Sequence, residues 1–207
     1  MFARSTSITA QSSMMDSGIA HMNETVMPAL SHMDGYLGIS LMADRDSGRC
    51  IITTAWRSDD AMRASAERVM SIRDAAAETF GATGAEVDHW EVAVMHRAHH
   101  ARQGTCVRAT WFRLGTDNMS DAIETFKHGT LAKIEDLPGF CSASLFVDRR
   151  DGRAVTTVGY DDRSTLEYSR EGAEAVREQA ARQMDAHILD VAEFELALAH
   201  LHVPEMV

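Results

Sequence analysis

Apolar residues change spacing several times along the chain, and each change predicts an element. Phe2 to Ile8 and Cys106 to Phe112 are short runs rich in β-branched and aromatic residues, as strands are. Met15, Ile19, Met22, Val26 and Leu30 then follow at steps of 4, 3, 4 and 4, one face of a helix. Met119, Ile123, Phe126, Thr130 and Ile134 repeat the same steps. From Asp34 to Trp56 two apolar runs flank the turn-forming stretch "DRDSGR", which predicts a hairpin; the later copy reads "DRRDGR". The Ala-, Glu-, Arg- and Met-rich segments Asp59 to Phe80 and Ser164 to Met184 predict a second helix in each half, with Ser164 and Glu167 at capping-box spacing. A last strand follows each, with Trp90, Val92 and Val94 matched by Phe194, Leu196 and Leu198 at steps of two.

These elements recur because the sequence does. Shifted by 104 residues without gaps, it matches itself at 22 of 103 pairs, where composition alone gives roughly 6. Arg4 meets Arg108, Gly48 meets Gly152, Arg73 meets Arg177 and Glu91 meets Glu195. The chain therefore reads as a tandem duplication. Its units are residues 1–98 and 105–207, with a polar linker at residues 99–104. A period of that length exceeds any solenoid repeat and leaves each unit large enough for its own core.

Each unit has the order βαββαβ, the ferredoxin-like arrangement of an antiparallel sheet with both helices on one face. The fold class is α+β. A second copy covers the bare sheet face, so the two ferredoxin-like units are expected to form an intramolecular α+β barrel, a pseudo-dimer within one chain whose minimal folded state is the monomer. Further homo-oligomerisation stays open.

Composition narrows the function. With 31 acidic and 20 basic residues the formal charge is −11, and no Lys/Arg-rich window offers a footprint for nucleic acid. No segment reaches the roughly 20 apolar residues of a membrane span, and the N-terminus lacks a signal-peptide core, so a cytoplasmic location is expected. Cys50, Cys106 and Cys141 are odd in number and widely spaced, which predicts buried, idle thiols.

The strand and helix followed by "PGF" (Pro138 to Phe140) at the hairpin, with "TTAWRSDDAM" (Thr53 to Met62) after it, resembles the antibiotic biosynthesis monooxygenase-like, or ABM, domains of the dimeric α+β barrel superfamily. The resemblance covers nearly all of each half. It implies a ligand pocket between sheet and helices in each unit, and an oxidoreductase function: cofactor-independent monooxygenation of a small aromatic, phenol- or quinone-type substrate. The alternative is a module that binds a small hydrophobic molecule, or serves assembly, without turnover. Many members of the family carry a His early in the second helix, where this chain has Ser65 and Ser169, and neither half supplies the Asn, Trp and His combination of the haem-degrading branch. Haem is disfavoured and no other cofactor is implied.

Candidate residues follow from the matched positions. Trp56 and Tyr160 end the third strand of their units, where a flat ring can stack on a substrate and a phenolic O–H can hydrogen-bond its oxygen, or where both simply fill the core. Arg4 and Arg108 can stabilise a phenolate; their structural reading is an ion pair with Glu91 or Glu195. The hairpin residues Arg45, Arg49, Arg149 and Arg153 are expected to be solvated. His128 is a candidate acid or base, and Trp111 and Tyr168 are candidate lining residues. The second half replaces Ser7, Glu24 and Ala64 with Trp111, His128 and Tyr168, so the halves are expected to have diverged and left one better pocket. The catalytic set is Tyr160, Arg108 and His128; the substrate-binding set is Trp56, Trp111, Tyr168 and Arg4. Ten histidines, among them His96, His99, His100, His200 and His202, show no helical HxxxH pair, so no metal site is assigned.

Overall fold

A computed structural model describes residues 1–201, Pro204 and Met206. By internal contacts the chain divides into two compact units: Met1–Trp90 with the end of the last strand from Leu196, and Glu91–Glu195.

In the first unit β1 (Phe2–Thr9), β2 (Tyr36–Ala43), β3 (Arg49–Trp56) and β4 (Glu86–Arg97) alternate with helices as the hydrophobic spacing requires. β1 and β2 both pair antiparallel with β3. The first helix is α1 (Met15–His21), one π-helical turn at Met22–Val26, and α2 (Met27–Ser31). Regular spacing did not foretell the π turn. The second helix breaks once, into α3 (Asp59–Ala64) and α4 (Ala66–Thr79), at the buried Ser65. Ser58 caps α3 by accepting from the Ala61 N–H, satisfying one of the donors that a helix start leaves open. The core is Trp56, Phe80, Met15, Met22, Leu30, Ile39, Leu41 and Met62, all essentially inaccessible.

The second unit repeats this: β5 (Cys106–Arg113), α5 (Met119–Thr125), a π turn at Phe126–Thr130, α6 (Leu131–Glu135), β6 (Phe140–Asp148), β7 (Arg153–Tyr160), α7 (Arg163–Tyr168), α8 (Arg170–Gln183) and β8 (His187–Leu201). β5 lies between β7 and β8, and β6 between β7 and β4, all antiparallel. Even the irregularities match, since the ladder slips between Tyr36 and Gly38 in β2 and between Phe140 and Ser142 in β6. In hydrogen-bonded order the strands run β1-β3-β2-β8-β5-β7-β6-β4 and close into an eight-stranded barrel. This is the α+β, duplicated ferredoxin-like architecture expected from the sequence.

One helix start differs from expectation. The α7 cap is Asp162, not Ser164: Asp162 accepts from the Thr165 N–H while the Thr165 hydroxyl reaches back, and Ser164 donates to the same carboxylate. A carboxylate accepts several donors at once, so it outcompetes the hydroxyl. The helices of the described residues include none long and apolar enough to cross a membrane.

Candidate functional site

Each unit holds a cavity of about 40 Å³ between its sheet and helices. The first is lined by Arg4, Thr6 and Ile8 from β1, the π-turn residues Met22 and Val26, and Val69, Ile72, Arg73 and Phe80. The second is lined by their counterparts 104 residues on: Arg108, Thr110, Phe112, Phe126, Thr130, Ala173, Val176, Arg177 and Met184. The period of two along a strand puts residues 4, 6 and 8 on one face, and the π turn brings residues 22 and 26 onto that face. The two cavities have equal volume on equivalent positions, so size does not favour the second half, though their linings differ. The bulky substitutions thought to favour the second half lie elsewhere. Trp111 falls on the alternate face of β5, Tyr168 is 80% exposed, and His128 sits on the helix surface beside Glu124, 3.1 Å away.

Arg108 is 4% exposed, and four of its five N–H groups are engaged. It donates to Glu193 Oε1 at 2.9 and 3.2 Å, to Tyr160 Oη at 3.1 Å and to the Leu166 carbonyl at 2.9 Å. The break at Ser169 exposes that carbonyl at the end of α7, and the Ser169 hydroxyl donates to it as well. A buried guanidinium therefore acts as a C-terminal cap. Its ion-pair partner is Glu193, not Glu195, because register places Arg108 directly opposite Glu193. Burial pushes the Glu193 carboxyl up, but hydrogen bonds from Arg108 and Arg170 outweigh that and hold it below its ordinary value.

The first unit reproduces the capping but not the charge balance. Arg4 donates to the Met62 carbonyl and, at 3.2 Å, to Ser65 Oγ. Opposite it stands His89 at 3.3 Å, the counterpart of Glu193. Burial, with Arg73 nearby, holds the Arg4 pKa below its ordinary value. Arg4 lies 5.9 Å from the centre of the Trp56 ring, as Arg108 lies 5.3 Å from that of Tyr160. Trp56 Nε1 donates to Thr54 Oγ1 at 3.0 Å, and Trp56 backs the site without lining the cavity. Tyr160 does line its cavity. Its hydroxyl accepts from Arg108, so its own proton is left to donate.

Sequence reasoning missed Thr130. It is 5% exposed and lines the second cavity, and its Oγ1 has no hydrogen-bond partner among the described residues. Buried hydroxyls are nearly always bonded, so this one marks the cavity as a place for a polar atom. Only its match to Val26 could have drawn notice, as a hydroxyl where the other half has a methyl.

The hairpin arginines are also paired: Arg149 donates to Glu91 at 2.6 Å, Arg45 to Asp16 at 2.8 Å and Arg153 to Asp148 at 3.4 Å. The arginine at each hairpin tip folds back onto its own first helix, reaching Asp16 in one unit and Ser120, its counterpart, in the other. His96 faces Glu135, and His99 lies 3.1 Å from Asp161. His202 lies outside the described residues. The described residues form no group of three or more His, Cys, Asp or Glu able to hold a metal. No histidine lines either of these two cavities, and about 40 Å³ is far below the several hundred Å³ of a cofactor pocket, so neither of them fits a haem.

Among solved structures, an anthrone oxidase-like protein superposes with a TM-score of 0.66 over 97% of this chain and 93% of its own, at 13% identity. A ferredoxin-fold protein of Listeria monocytogenes related to antibiotic biosynthesis monooxygenases gives 0.53 over 95% of both chains, at 8% identity. These likenesses show a shared fold. No family model matches the chain. An uncharacterized protein of Mycobacterium tuberculosis is 51% identical over 207 residues, covering 100% of this chain and 92% of its own length. A second from the same organism is 48% identical over 208 residues, covering 100% and 88%. Identity at that level along the whole chain is well beyond what fold alone imposes, and the chain belongs to the family of these two mycobacterial proteins.

Proposed function

We propose that the protein is an ABM-like oxidoreductase whose second-unit cavity binds a small molecule with an apolar body and a hydrogen-bonding oxygen, of the phenol or hydroquinone class. The observation that carries this reading is the unpartnered Thr130 hydroxyl in a cavity that Tyr160 also lines. Its remaining walls are largely apolar: Phe112, Phe126, Ile134, Val158 and Ala173. An apolar cleft with few convergent polar groups is the usual form of a small-molecule site. As it stands the cavity has room for about three waters. A ring enters once Met184, half-buried on the lining and intrinsically adaptable, swings aside. In the reaction the substrate loses its phenolic proton to solvent, and the phenolate bonds to O₂ through its electron-rich ring carbon to give, after protonation, a hydroperoxide. Loss of water from that leaves the quinone carbonyl, with one oxygen atom in the product and one in water. The Tyr160 O–H hydrogen-bonds the substrate oxygen. Kinship in fold with the anthrone oxidase-like protein supports the same reading.

Binding without turnover is the second reading, favoured by the engagement of Arg108. With its charge neutralised by Glu193 inside the protein, Arg108 has little to offer a developing oxyanion. Oxygen uptake with a panel of hydroquinones decides between them. Under the oxygenase reading uptake is protein-dependent, and Tyr160→Phe lowers it about 10- to 1000-fold. Saturable binding without uptake establishes the module. A Thr130→Val protein that binds as well as the wild type removes Thr130 from the site under either reading, and the absence of both uptake and saturable binding refutes the two readings together.

A further inference from the structure

The two units differ in the residue that faces their shared buried arginine. In the second, the guanidinium of Arg108 is neutralised by Glu193, whose other oxygen is held by Arg170. In the first, the residue at the Glu193 position is His89, and no carboxylate among the described residues lies within ion-pair distance of Arg4. Arg4 is 4% exposed. Three of its five N–H groups are used, by His89, Ser65 and Met62. An ionised side chain out of water normally needs a counter-charge. Arg4 also lines the first cavity, with Thr6, Thr54 and Arg73 as the other polar residues and Ile52, Ile72 and Phe80 among the apolar ones. The Arg73 guanidinium is already paired with Asp74 at 3.0 Å, so the uncompensated charge is that of Arg4.

We infer that the first-unit cavity is a site for a short-chain carboxylate, which supplies to Arg4 from a ligand the charge that Glu193 supplies to Arg108 from the protein. The carboxylate takes the unused N–H groups of Arg4, and its short alkyl tail lies among Ile52, Ile72 and Phe80. The volume sets the size, because about 40 Å³ takes three waters or roughly as many heavy atoms beyond the carboxylate contact. Burial of Arg4 and its lowered pKa agree with a cation lacking a counter-charge. The site is independent of the one proposed in the second unit, since none of its residues line that cavity.

Isothermal titration of the full-length protein with propionate, with its neutral isostere propionamide and with chloride at fixed ionic strength tests this. Propionate is expected to bind about 10-fold or more tighter than either, the scale of a buried charge-assisted contact. His89→Glu installs the second unit's own counter-charge, so it should stay folded and lose about 10-fold or more in propionate affinity. A cross-relaxation signal between the propionate methyl and the Phe80 ring in the wild type reads the same site without any variant. Equal binding of propionate and propionamide overturns the assignment, as does chloride competing on equal terms, a folded His89→Glu with unchanged affinity, or no contact to Phe80.

Discussion

Arg4 and Arg108 show how a single residue type serves the same structural purpose in two electrostatic settings. Each caps the short helix that ends at a buried serine, and each reaches the aromatic at the end of the third strand. What differs is the residue across the strand, His89 or Glu193. Glu193→Gln should therefore destabilise the protein by about 1–3 kcal/mol at pH 7, the range for losing a charged partner of a buried group. The folded-state pKa of Glu193 lies below its ordinary value, so its stabilisation is fully present above the unfolded pKa near 4.3 and is lost as pH falls through the folded pKa. Chemical denaturation of both proteins from pH 7 downward should show their difference shrinking below about pH 4. A constant gap across that window would mean that Glu193 acts by packing alone.

At the scale of elements, the hairpins carry the clearest trace of the duplication. Gly48 and Gly152 both have positive φ, +77° and +62°, and a Cβ on either would lie 2.4 or 2.3 Å from the carbonyl oxygen of Ala10 or Leu114. The same segments are joined by 2.8 Å bonds, Ala10 N–H to Gly48 and Leu114 N–H to Gly152. The turn glycine thus binds the end of the first strand to the hairpin, which explains why it stands in both copies of the sequence stretch. Gly48→Ala combines left-handed backbone strain with a backbone clash and should cost about 2–3 kcal/mol. For a chain of this size that is roughly 5–10 °C in Tm by calorimetry. An unchanged Tm would show that the turn relaxes without cost. The π turns at Met22–Val26 and Phe126–Thr130 are the elements that sequence spacing concealed, because a repeat of 4, 3, 4 and 4 also fits an ordinary α-helix.

For the whole molecule, the decisive feature is that β8 contributes its start to the second unit and its end, from Leu196, to the first. Leu198 belongs to the first unit's core, and a side chain at Gly38 would meet the His200 carbonyl. A fragment of residues 1–98 lacks that strand, so it should fail to fold as a monomer and regain its circular dichroism when mixed with residues 105–207. Independent cooperative folding of the fragment at low concentration would contradict this. The sequence by itself determined the duplication, the βαββαβ order, the hairpin turns and the correspondence of Arg4 with Arg108 and of Trp56 with Tyr160, because all of these rest on local spacing or on the match between halves. Only the tertiary structure decided which face of β5 carries Trp111, that Arg108 meets Glu193 while Arg4 meets His89, and that Thr130 is left with an open hydroxyl. Those are matters of register and burial, set by strands and helices distant in sequence, and local periodicity carries no record of them.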